Sequence, residues 1–125
     1  MYKKSTISSL GNVQTILDWT FFRDFIHSDE ELEVEILSIF FDSAPSYIEA
    51  IKIASIEEWP AACHKLKGAA RSIGAWALAY QTELAEFAPP PEVSSDSRMD
   101  IISTIQGSFT DLQAEASIEH AIFRQ

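Results

Sequence analysis

Several things are scarce in this chain. Among 125 residues there is one cysteine, Cys63. An intrachain disulfide and a multi-cysteine zinc site are therefore both excluded, and a reducing, cytoplasmic setting is expected. No stretch approaches the roughly 18 apolar residues needed to span a bilayer, and Met1-Tyr2-Lys3-Lys4-Ser5-Thr6 has no apolar run of the kind a secretory signal carries. Bases are few: nine lysines and arginines against nineteen acids leave a net charge of −10. Nucleic acid and anionic membrane surfaces repel such a chain, because their binding proteins carry a basic footprint. Gly11 stands alone and no G-x-x-x-x-G-K-[ST] run occurs, which removes the phosphate-cradling nucleotide loop. The length suits a single domain over 1–125 with no separate cofactor module, and Met1 with this compact length points to a free-standing protein.

Only four glycines and five prolines interrupt the chain, and the stretches between them follow helical spacing, not strict alternation. The fold class is therefore all-α. The pattern predicts a short helix over 18–26, with Leu17, Phe21, Phe22 and Phe25 on its apolar stripe, closed by His27-Ser28-Asp29. Ser28 or Asp29 caps a long second helix reaching about residue 55. Ser28 and Glu31 have capping-box spacing, and acids crowd the first turn where the helix dipole favours them. Its apolar face reads Leu32, Ile36, Ile39, Phe40, Ser43, Ala44, Tyr47, Ile48 and Ile51, and Pro45 inside it predicts a kink or short break near 42–44. Pro60 opens a third helix to about residue 73, with Ala62, Cys63, Leu66, Ala69, Ala70 and Ile73 inward and Gly74 ending it.

A fourth helix covers 75–87, with Leu78, Thr82 and Ala85 inward. Three consecutive prolines, Pro89 to Pro91, mark 88–95 as a loop. The last helix starts near Asp96 or Ser97 and carries Ile101, Ile102, Ile105, Phe109, Leu112 and Ala116. Four major amphipathic helices on short links bury their stripes in an antiparallel four-helix bundle. That bundle is expected over 17–122, with the short additional N-terminal helix at its start and a leading segment 1–16.

No acid occurs between Trp59 and Thr82, while Lys65, Lys67 and Arg71 all fall in that window. One helix of an acidic chain thus has the opposite sign. Residues three, four and seven apart share a helix face, which lines up His64, Lys67, Gly68 and Arg71, with Ala61 before and Ala75 after. Three bases alone describe a solvated face; a histidine among them describes a nucleophile beside an anion site. Gly68 costs about 1 kcal/mol relative to alanine in a helix interior. Two reasons for it stay open: close packing of another helix, or a cleared approach to His64 for a large partner. An exposed imidazole with flanking cations suits a group that takes up a phosphoryl group, where catalysis is mainly positioning and charge stabilisation.

The run Ala62-Cys63-His64-Lys65-Leu66-Lys67-Gly68-Ala69-Ala70-Arg71-Ser72-Ile73-Gly74-Ala75 resembles the signature of histidine-containing phosphotransfer (HPt) domains, roughly A-H-x-L-K-G-x-A-x-x-x-G-A. The likeness extends over about 17–86, with Cys63 where alanine is usual. It implies a four-helix bundle whose exposed His64 carries a phosphoryl group on Nε2 between receiver-domain aspartates in a multistep phosphorelay. By the same resemblance Lys67 neutralises phosphate charge and Gly68 admits the receiver. Ala61, Lys65, Arg71 and Ala75 serve docking or electrostatics, and Gly74 shapes the turn of the helical hairpin. The implied partners are response-regulator receiver domains and a hybrid sensor kinase, met by a monomer. The chain needs no cofactor of its own, because Mg²⁺ comes with the receiver, and no ATP, because the donor is already a phosphoaspartate. The docking surface is expected to include the first helix and the start of the second, and Lys67→Ala is expected to leave the fold intact.

Other chemistries fit less well. Cys63 and His64 are adjacent, so they point about 100° apart on a helix and Cys63 falls on the buried stripe. His27 and His120 belong to other elements, and no H-x-x-x-H or H-E-x-x-H spacing supplies a metal site. The competitor from another class is a bundle of the same kind that docks on a receiver or kinase without accepting phosphate; such a module is expected to lose the histidine or its lysine, and both are present here.

Overall fold

A computed structural model describes residues 12–124. Residues 1–11, most of the expected leading segment, lie outside the described residues, as does Gln125. Five α-helices follow one another: α1 Trp19–Phe25, α2 Glu30–Ile53, α3 Trp59–Ser72, α4 Trp76–Phe87 and α5 Asp96–Glu119, then a 3₁₀ turn, Ala121–Phe123. The described residues contain no strand. Helices α2 to α5 form a closed ring in which α3 packs on α2 and α4, and α5 packs on the same two. The all-α bundle with a short extra helix at its start is the architecture the spacing predicts.

Local chemistry sets the helix starts. The Asp18 carboxylate accepts from the Phe21 N–H, Asp29 from Leu32 and the Ser95 hydroxyl from Arg98, each satisfying a donor that the first turn leaves free. Asp29, not Ser28, is the cap of α2. Before α3, Ser55 and Glu58 bond each other's backbone N–H reciprocally, both at 3.1 Å, so the chain reverses with its donors satisfied. His27 and Ser28 take positive φ, 55° and 56°, and turn α1 sharply into α2.

Two expectations about α2 are corrected. Of the kink or short break expected near 42–44, the break is absent: the helix runs continuously through Pro45, which is exposed, and Phe40, Phe41, Ala44, Ile48 and Ile51 hold the turns on both sides of it to the core. Its buried face is rotated from the predicted one. Leu37 and Phe41 are inside, whereas Ile39 is 59% exposed. In α1, Phe22 is buried but Phe25 is 69% exposed, so the first stripe is also narrower than expected. For α3, α4 and α5 the inward residues follow the predicted faces, with Trp59, Trp76 and Ala79 added to the core.

Gly74 closes α3 with φ 80°. The N–H of Gly74 bonds Arg71 O and that of Ala75 bonds Ala70 O, the paired reversal that uses a left-handed residue just past a helix end. Asp18 N–H bonds Gly74 O at 2.9 Å, and a Cβ at Gly74 would stand 2.9 Å from the Phe21 ring and 3.2 Å from Asp18 Cβ. Glycine is needed here for its backbone and for the close approach of α1.

Two buried charged groups tie the ends. Arg98, 2% exposed, donates to Lys52 O, Ala54 O and Pro91 O, and its guanidinium lies 4.7 Å from the Trp59 ring centre. It fastens the proline loop to the carbonyl end of α2, where the helix dipole favours a cation. Glu33, 3% exposed, is held by both Nε and Nη2 of Arg23, and His120 contacts the same carboxylate. The Arg23 hydrogen bonds outweigh burial and hold the Glu33 carboxyl below its usual value, while Glu33 and Glu119 raise Arg23.

Candidate functional site: His64 and its carboxylate partner

Helices α3 and α4 are joined by three residues, so they lie antiparallel, and reflecting the hairpin about Ala75 pairs position 64 with 86 and 67 with 83. The contacts obey that geometry. His64, on the open side of α3 with its side chain 67% exposed, places Nδ1 2.9 Å from Glu86 Oε2. Lys67, one turn on, places Nζ 2.6 Å from Glu86 Oε1 and 3.9 Å from Glu83 Oε1. The 2.6 Å approach lies off the line of a directed hydrogen bond, so it is a contact of charge. Glu86 thus bridges the histidine and the lysine.

The expectation that Lys67 shares the exposed face of His64 is corrected. Its side chain is 7% exposed and turns into the α3–α4 seam, with Nζ 4.9 Å from the Phe87 ring centre. The reason is angular: three residues along a helix is 60° short of a full turn, and at this crossing those degrees point toward α4. Ala75 is also corrected. It is fully buried and its N–H closes the end of α3, so it offers no surface to a partner. The remaining predicted residues are placed differently. Ala61, Lys65 and Gly68 are exposed and Arg71 is half-buried. Lys65 leans toward α2, 5.9 Å from the Tyr47 ring centre. A Cβ at Gly68 would meet nothing within 4 Å, so close packing does not explain that glycine.

Glu86 and Glu83 are the residues of the candidate site that sequence reasoning missed. They also offset part of the positive charge of α3, because both stand against Lys67, while Lys65 and Arg71 have no ion pair among the described residues. The reflection about Ala75 was the signal that could have found them.

The arrangement fixes the chemistry of the ring. A carboxylate can only accept a hydrogen bond. The proton is therefore assigned to Nδ1, and in the neutral ring the lone pair is on Nε2. A nucleophilic nitrogen faces outward while its partner is braced by the protein. Cys63, one residue earlier, is fully buried; burial, with the Glu86 charge adding to it, pushes its thiol up to about 12. Among the described residues no group of three or more His, Cys, Asp or Glu side chains could hold a metal ion, and no helix is long and apolar enough to cross a membrane.

No curated protein and no solved structure gave a match. The family model described as Hpt domain matches residues 35–116, which takes in the whole α3–α4 hairpin and most of the two helices that support it. The chain belongs to the Hpt domain family, and with that membership comes a role in phosphotransfer and in phosphorelays with receiver domains.

Proposed function

We propose that this protein takes a phosphoryl group from the phosphoaspartate of one receiver domain onto His64 Nε2 and passes it to the aspartate of another. The carrying observation is the position of Glu86, which leaves Nε2 as the free nitrogen of an exposed ring. Nε2 attacks phosphorus, the Nε2–P bond forms, the P–O bond to the donor breaks and the donor leaves as a carboxylate. The ring gains positive charge at that moment, and the Glu86 carboxylate stands 2.9 Å from the Nδ1–H that bears it. The reverse sequence delivers the group to the acceptor. Mg²⁺ is assigned to the receiver, as the resemblance implies.

Docking needs room and an apolar rim. Gly68 supplies room beside the ring, and Phe87, 73% exposed, and Ile39 supply apolar surface on either side of α3. The test is incubation with a phosphorylated receiver and Mg²⁺. Acid-labile phosphate should move to the protein and fail to move to His64→Gln. Stable docking without transfer would leave a binding module in place of this reading.

A further inference from the structure

If His64 carries a phosphoryl group, as the function proposed above requires, a cation must meet it there. The residue that the motif would nominate, Lys67, is already engaged: Glu86 neutralises it at 2.6 Å, a second carboxylate stands at 3.9 Å, and little of its side chain reaches solvent. Lys65 is one residue from His64 and so projects about 100° away around the helix, over Tyr47. Arg71 differs from both. Seven residues along, it stands only about 20° from His64 around the axis. No described carboxylate forms an ion pair with it, and its side chain is partly open to solvent.

Two features of helix geometry put the site within reach of an Arg71 side chain extended along the helix. Helical side chains lean toward the N-terminus, so a long side chain covers the turn before its own Cα. For Arg71 that turn is centred on Gly68, and the turn beyond carries His64. Gly68 has no side chain, and the space where one would begin is empty to 4 Å. A lane therefore runs along the surface of α3 from Arg71 over Gly68 to the ring. We infer that Arg71 is the phosphate-contacting cation of phosphorylated His64, that Gly68 keeps its path clear, and that Lys67 acts inside the protein to hold Glu86 in place. A guanidinium suits the task because its fixed fork of N–H groups matches phosphoryl oxygens.

The experiment needs no partner protein. Phosphoramidate phosphorylates the ring as its P–N bond breaks, ammonia leaves and the Nε2–P bond forms. A ³¹P NMR titration then reads the last ionisation of the phosphoryl group itself. A contacting cation lowers that pKa, so Arg71→Gln should raise it by about 1 unit relative to the wild type. Arg71→Lys should fall between the two, and Lys65→Gln should leave the value unchanged. Equal values in the wild type and Arg71→Gln, with the phosphohistidine resonance present in both, would overturn the inference while leaving the proposed function intact. Absence of any resonance that depends on His64 would overturn both.

Discussion

His64 Nδ1 lies 2.9 Å from Glu86 Oε2, and the two residues come from opposite arms of the α3–α4 hairpin. In the proposed transfer the contact does two things. It selects the nitrogen that attacks, and it puts a carboxylate beside the ring where positive charge develops.

Glu86→Gln separates these. The amide oxygen can still accept from Nδ1–H, but the charge is gone. Transfer from a phosphorylated receiver should slow by about tenfold, equivalent to about 1.4 kcal/mol on the barrier. A rapid-quench rate equal to that of the wild type would show that the charge plays no part.

Lys67→Ala leaves Glu86 with an uncompensated charge in the seam. Unfolding by denaturant should show a loss on the order of 3 kcal/mol, in contrast to the neutral effect that a surface lysine predicts. Combining Lys67→Met with Glu86→Leu should recover most of that stability, because an apolar pair of similar volume has no desolvation penalty. If the single variant is as stable as the wild type, Lys67 is not held where the structure places it.

Gly68→Ala enters open space, so helix propensity alone decides its effect. The melting temperature should rise, by the equivalent of about 1 kcal/mol. Gly68→Gln, which also favours the helix, should nevertheless impair transfer from a receiver. A destabilised Gly68→Ala would mean that the glycine serves packing.

Much of this was legible in the residues themselves. Pro60 and Gly74 mark the two ends of α3 by chemistry that acts within a few residues, and His64 falls on the side away from Leu66, Ala70 and Ile73 by simple periodicity. What escaped reading depends on distance along the chain. Glu86 reaches His64 from 22 positions away, and its contact requires knowing which face of α4 meets α3. The burial of Lys67 follows from the same crossing. Pro45 escaped for another reason: the core contacts of the surrounding helix outweigh one missing hydrogen bond. The carbonyl clamp of Arg98 and the burial of Glu33 are likewise long-range, with partners 44 and 10 residues away.

The Arg23–Glu33 pair makes stability depend on pH. Glu33 sits below its usual value of 4.5, so its contribution is present above that pH and is lost as the pH falls below it. Arg23 stays charged throughout. Thermal melts from pH 6 down to 3 should therefore fall more steeply for the wild type than for Glu33→Gln, which is already weakened at neutral pH. Parallel slopes would contradict the pairing.

The most direct test is the identity of the phosphorylated atom. With the imidazole nitrogens ¹⁵N-labelled, the protein phosphorylated by a receiver should show phosphorus coupled to Nε2 of His64, with Nδ1 unsubstituted. Coupling to Nδ1, or phosphate on any other residue, would contradict the role assigned to Glu86 and the proposed function together.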